Sequence, residues 1–269
     1  MYYQVNDVRL LVESEGNNHP ALIFLHFWGG SSRTWKQVSD LLKKDYRCIR
    51  MDLRGWGESD KPQTGYDIQS LADDVSGLIS QLQLNNYILV GHSMGGKIAQ
   101  AIAAKKPAGL KKLILVAPSP AVSTILPAEM VLGMENAYTS LDNINQTIDH
   151  VFNAPDLTPT VRQTIVEDMQ RHNTASRLGW PAAALTEDVS AGLSSIYIPT
   201  LIIAGENDIV DSPSRLQAEL VAIIPGSRMV VIPRVGHLIM VQQPEKVAEL
   251  IHDFCRSEQA AMPFSGHVA

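Results

Sequence analysis

Three side chains that could together activate a hydroxyl each follow an apolar run in this sequence. Ser93 sits in Gly91-His92-Ser93-Met94-Gly95, between the apolar residues 87–90 and a helical stretch over 97–105. This G-x-S-x-G spacing at a strand-to-helix turn is the nucleophile elbow, which holds a serine hydroxyl on a strained bend. Glycines at 91 and 95 are needed because a side chain there would collide with the packed turn. The helix N-terminus beside the serine favours developing negative charge. Asp208 follows the apolar residues 201–204, and His237 follows the apolar strand around 229–232. A neutral hydroxyl is a weak nucleophile. His237 can take its proton and return it to a leaving group, while Asp208 fixes the imidazole tautomer and stabilises its cation. The order serine, acid, histidine is the one this chemistry uses on parallel sheets. Glu206 and Asp211 are rival acids near Asp208, which ranks first by its position in the turn.

These residues need strands that end at a common edge. Residues 3–5 and 8–13 read as a hairpin around Asn6-Asp7, and 21–25 as a buried strand. Helical spacing over 34–44 precedes a strand at 46–53, a helix at 68–82, the strand before Ser93, the helix after it and a strand at 113–117. Such alternation predicts a mostly parallel sheet with helices on both faces, and ligands gather at the carboxyl ends of such strands. The rhythm breaks over 119–195, where helical patterns are interrupted by Pro and Gly and no strand is predicted. It resumes with a strand at 201–204, a helix at 214–223, a strand at 228–232 and a helix at 245–254; the tail from Ser257 is expected to fray. The expected division is a core of 1–118 and 196–269 around an insertion of 119–195.

Charge and composition narrow the function classes. The 269 residues carry a formal net charge of −6 and are 45% hydrophobic, with a pI near 5.7. No basic stripe marks a nucleic-acid surface, and no apolar run is long enough to span a membrane. The N-terminus lacks a basic region followed by an apolar core, so no targeting signal is read there. The two cysteines, Cys48 and Cys255, are read as reduced thiols of a cytoplasmic protein. No ligand cluster predicts a metal, and no cofactor is expected.

On these residues the chain resembles the α/β-hydrolase superfamily, in its capped, esterase-like and lactonase-like branch. The resemblance covers nearly all of 8–254. Its marks are His26 with Gly29-Gly30, the D-x-R-G-x-G-x-S turn at 52–59, Gly91–Gly96, the turn 205–208 and Gly236-His237. It implies that Asp52 and Arg54 brace loops, that His26 and His92 neighbour the site, and that 119–195 is a helical cap. An oxyanion hole is expected from two backbone N–H groups, one from Met94 and one from the loop after the strand 21–25. The family usually has His-Gly where this chain has His26-Phe27. If the loop keeps the family's path, Trp28 supplies the second N–H, and otherwise Phe27 does; Trp28 is preferred.

The expected substrate is a small carboxylic ester or lactone with a hydrophobic acyl group, cleaved through an acyl-enzyme on Ser93 in a monomer or homodimer. Acyl-homoserine lactones, and with them quenching of bacterial signals, are compatible with an apolar cap. Phe27 is expected to narrow the acyl side, and Met130, Met134, Phe152 and Trp180 to line the pocket from the cap. Aspartate replaces serine at the elbow of dehalogenases and epoxide hydrolases, which disfavours those reactions here. Perhydrolase or carbon–carbon bond hydrolysis, or a ligand receptor that keeps the fold, are the alternatives.

Overall fold

The computed structural model describes residues 1–257, so the expected fraying beyond Ser257 lies outside the described residues. Eight strands form one sheet. They are β1 (Tyr2–Val5), β2 (Val8–Glu15), β3 (Ala21–Leu25), β4 (Arg47–Met51), β5 (Tyr87–Ser93), β6 (Leu110–Pro118), β7 (Thr200–Gly205) and β8 (Arg228–Ile232), in the spatial order β1-β2-β4-β3-β5-β6-β7-β8. The β1–β2 and β2–β4 pairs are antiparallel. All later pairs are parallel. In the first hairpin Val5 pairs with Val8 across a two-residue turn, in which Asn6 adopts φ 51°, a conformation asparagine tolerates better than most side chains. β2 alternates, burying Val8, Leu10 and Val12 while Arg9 stays exposed. β3 and β5 lie between other strands and are buried along their whole lengths, the pattern of central strands covered on both faces.

Helices α1 (Lys36–Leu42), α2 (Ile68–Gln81) and α3 (Met94–Ala104) connect the first strands. Asp67 caps α2 by accepting the Ser70 N–H at 2.8 Å. Leu71, Val75 and Leu78 of α2 join Ile98 and Ile102 of α3 in one apolar cluster on one face of the sheet. Val38 and Leu42 of α1 join the other cluster, which holds Val247, Ile251 and Phe254 of the C-terminal helix. Those residues recur at helical spacing, which aims one stripe of that helix at the sheet.

The block between β6 and β7 contains α4 (Ala128–Asn136), α5 (Leu141–Gln146), α6 (Pro159–Met169) and α7 (Thr174–Gly179) and no strand. Wider π turns extend α5 through Thr147–Val151 and α7 through Trp180–Ala184. The block's buried Ile144, Ile148, Ile165 and Met169 belong to the same apolar cluster as α2 and α3. A polar clasp adds to that packing. Asp168 of α6 accepts from Ser31 Oγ and Arg33 Nε, both at 2.8 Å, and Arg33 Nη1 pairs with Glu167 at 3.0 Å. α8 (Pro213–Leu216) and a π turn over Gln217–Val221 replace the single regular helix predicted at 214–223. After β8 come α9 (Ile239–Gln242) and α10 (Pro244–Arg256), the C-terminal helix. Cys48 and Cys255 are free thiols. Among the described residues no helix is long and apolar enough to cross a membrane.

Candidate active site

β5 runs three residues further than the apolar pattern suggests, to Ser93, and α3 starts at once with Met94 rather than at Lys97. No turn separates strand from helix, so Ser93 absorbs the change of direction alone, at φ 50° and ψ −115°. A non-glycine residue held there stores backbone strain. The glycines on either side explain how the bend closes. A Cβ on Gly91 would lie 2.4 Å from the Gly95 carbonyl oxygen, and one on Gly95 would lie 2.5 Å from that of Leu25.

His237 and Asp208 come from the loops after β8 and β7. His237 Nδ1 donates to Asp208 Oδ2 at 2.8 Å with both side chains buried. That bond places the proton on Nδ1 and leaves the Nε2 lone pair available as a base. Asp208 Oδ1 in turn accepts the N–H groups of Val210 at 2.9 Å and Asp211 at 3.1 Å, which fixes the carboxylate. Burial would push His237 down, but the adjacent Asp208 charge and hydrogen bond more than offset it and raise the imidazole above its ordinary value. The main chain of His237 is held twice. Its N–H donates to the Phe152 carbonyl at 2.8 Å, and its carbonyl accepts from His92 Nε2 at 2.9 Å. His92 is buried and pushed well below its ordinary value by desolvation, so its neutral ring braces the histidine.

Ser93 and His237 line one cavity of about 690 Å³, a size usual for small-molecule sites. Phe27, Trp28, Met130, Met134, Phe152 and Trp180 line the same cavity. α4 buries none of its residues fully, and its Met130 and Met134 face the cavity from the inserted block. Asp208 lies on the Nδ1 side of His237 and does not border the cavity. Of its rivals, Glu206 is exposed and accepts the Arg234 N–H at 2.9 Å, away from the imidazole. Asp211 is buried and lines the cavity.

The loop after β3 is held by His26, whose Nε2 accepts the Leu53 N–H at 2.9 Å while Nδ1 donates to the Phe27 carbonyl at 2.7 Å. The Phe27 ring packs edge-on against His92 and Phe152, with centroids 5.2 and 5.7 Å away. Trp28 donates Nε1–H to the Arg177 carbonyl at 3.1 Å, and its own carbonyl accepts the Tyr138 hydroxyl at 2.7 Å. Among the described residues its backbone N–H has no acceptor. Asp52 and Arg54 brace loops: Asp52 accepts from the N–H of Ser32 at 2.6 Å and of Glu58 at 2.8 Å, and Arg54 Nη2 pairs with Asp74 at 2.8 Å.

Sequence reading missed the polar groups at this cavity. Ser119, Thr124 and Arg215 line it, and nothing in their spacing announces them. Lys97, one turn into α3, is buried and donates to the Leu185 carbonyl at 3.0 Å, tying the helix behind Ser93 to a cavity-lining residue of the inserted block. Burial pushes its ammonium down to about 8. The Arg33–Asp168 clasp was likewise illegible, because its partners lie far apart in sequence.

A sequence model of the "Alpha/beta hydrolase family" matches residues 22–250. The AB hydrolase superfamily protein YisY of Bacillus subtilis (strain 168) is 33% identical over 263 residues, covering 93% of this chain and 96% of that one. Among solved structures, an esterase from Exiguobacterium antarcticum superposes with a TM-score of 0.87 at 27% identity, covering 95% of this chain and 99% of the other. Est816, described as an N-acyl homoserine lactone degrading enzyme, gives 0.84 at 25% identity, covering 94% of this chain and 100% of the other.

Proposed function

The chain belongs to the alpha/beta hydrolase family, and from that premise we propose that it is a serine hydrolase of carboxylic esters or lactones with hydrophobic acyl groups. The observation that carries this reading is the His237–Asp208 hydrogen bond of 2.8 Å behind a cavity that Ser93 also lines. His237 Nε2 takes the Ser93 proton as Oγ attacks the ester carbonyl. Oxygen then bears the charge of a tetrahedral intermediate, which the N–H groups of Met94 and Trp28 meet. Collapse breaks the bond to the alcohol oxygen, and His237 returns the proton to it. A water activated by the same imidazole releases the acid and regenerates the serine. In a lactone the alcohol and the acid leave as one opened chain.

The apolar lining from Met130, Met134, Phe152 and Trp180 favours an acyl chain over a sugar or a highly charged metabolite. Acyl-homoserine lactones fit that description, and the similarity to Est816 supports them as test substrates for signal quenching.

The test compares hydrolysis of a hexanoyl-homoserine lactone and an open-chain hexanoate ester, with Ser93→Ala as the blank. Turnover of either substrate that vanishes in the variant is expected. A large lactone preference identifies a lactonase, and preference for the open ester a carboxylesterase. Equal turnover by Ser93→Ala and wild type overturns the proposal.

A further inference from the structure

The lining of the cavity is not uniformly apolar. Beside the His237 loop, Asp211 is only 2% exposed yet borders the cavity. Its Oδ1 accepts from Arg215 Nη1 at 3.1 Å, while Oδ2 has no partner among the described residues. The second terminal nitrogen of the same guanidinium, Nη2, donates to Thr124 Oγ1 at 2.6 Å. Arg215 Nε is occupied by Glu219 at 3.1 Å. Each nitrogen of Arg215 thus makes one bond, and its two terminal nitrogens hold an aspartate oxygen and a threonine hydroxyl. Because Thr124 Oγ1 accepts from arginine, its own proton is left to donate, and among the described residues it has no acceptor.

A carboxylate on so buried a side chain is costly. Burial accordingly pushes the Asp211 carboxyl up to about 7. The cost falls if a ligand brings an N–H. With Asp211 ionised, the pair offers one acceptor and one donor on the cavity wall, which matches the N–H and C=O of a secondary amide.

We propose that Asp211 and Thr124, aligned by Arg215, form an amide-recognition subsite, so that the preferred substrates are esters or lactones carrying a secondary amide beside the hydrophobic chain. The inference rests on reading this cavity as the substrate site of a serine hydrolase. Asp211 and Thr124 are specificity residues here, and bond cleavage remains with Ser93 and His237.

The probe pair is the methyl ester of N-hexanoylglycine and methyl nonanoate, which has the same chain length with CO–NH replaced by CH2–CH2. The ratio of their kcat/KM values is the readout, because a general loss of activity cancels from it. Thr124→Val and Asp211→Ala are each expected to lower the amide-to-hydrocarbon ratio about 10-fold, and Thr124→Ser to restore it. An unchanged ratio in Thr124→Val, a nearly isosteric replacement, overturns the proposal even if Asp211→Ala does not fold. Affinities of the two esters for Ser93→Ala separate this inference from the catalytic one. There the amide ester is expected to lose about 10-fold in affinity when Thr124→Val is added, whether or not the wild type turns over. Equal affinities in the two backgrounds overturn the subsite, whereas turnover independent of Ser93 overturns only the hydrolase mechanism.

Discussion

The Phe152 carbonyl accepts the His237 N–H at 2.8 Å, so a residue of the inserted block holds the main chain of the candidate base. The Phe152 ring also lies over the imidazole, centroid to centroid 5.2 Å, and borders the cavity. The block thereby contributes to positioning as well as to covering the site. Phe152→Ala keeps the carbonyl but removes the ring. It is expected to cost about 3 kcal/mol of stability and to lower kcat with less effect on KM for short acyl chains. Denaturant unfolding and steady-state kinetics on two chain lengths check both parts, and an unaltered kcat would count against a positioning role.

Removing the proposed nucleophile or its orienting acid gives the sharpest kinetic outcome. Ser93→Ala and Asp208→Asn are each expected to reduce kcat by about 10⁴-fold, and the double variant is expected to be little worse than either, because groups that act as one unit are not additive. Glu206→Gln serves as the contrast. Its carboxylate bonds the Arg234 N–H rather than the imidazole, and less than a 3-fold change is expected on that ground.

The pH profile follows from His237. The base must be neutral to take the serine proton, and Asp208 raises the imidazole above its ordinary value despite burial. Activity is therefore expected to fall as pH drops through a value above the ordinary histidine range. Asp208→Asn removes the larger raising influence and leaves the smaller one of Asp211, so the residual activity of that variant should keep its plateau to lower pH. A limb at the same pH in both proteins would mean that another group governs it.

The clasp between Arg33 and Asp168 sets how firmly the block is docked. Asp168 is wholly buried and serves both Arg33 and Ser31. Asp168→Ala strands those donors and should destabilise the fold by about 2 kcal/mol, short of the cost of breaking a fully buried pair because Arg33 keeps contact with water. Thermal unfolding measures the loss. Faster proteolysis within 119–195 than within the sheet would show that docking of the block loosens first.

Much of this protein was legible locally. The strand-to-helix bend at Ser93 and the alternation that yields a parallel sheet depend on neighbours in sequence. The backbone responds to such patterns through sterics and periodicity. Even so, the exact span of β5 was not legible, because Gly91-His92-Ser93 continues the strand only by pairing with β3 and β6.

Distant contacts were decided by the tertiary structure alone. Asp211 and Asp208 sit in one short turn, and the sequence could rank but not separate them as acids. Packing turns Asp208 toward His237 and Asp211 toward Arg215. Thr124, Phe152 and Asp168 are scattered over an insertion without a repeating pattern, yet they reach Arg215, His237 and Arg33 respectively. Such encounters depend on how helices dock on a sheet. That is a property of side-chain volume and shape summed over the whole core, which no local spacing encodes.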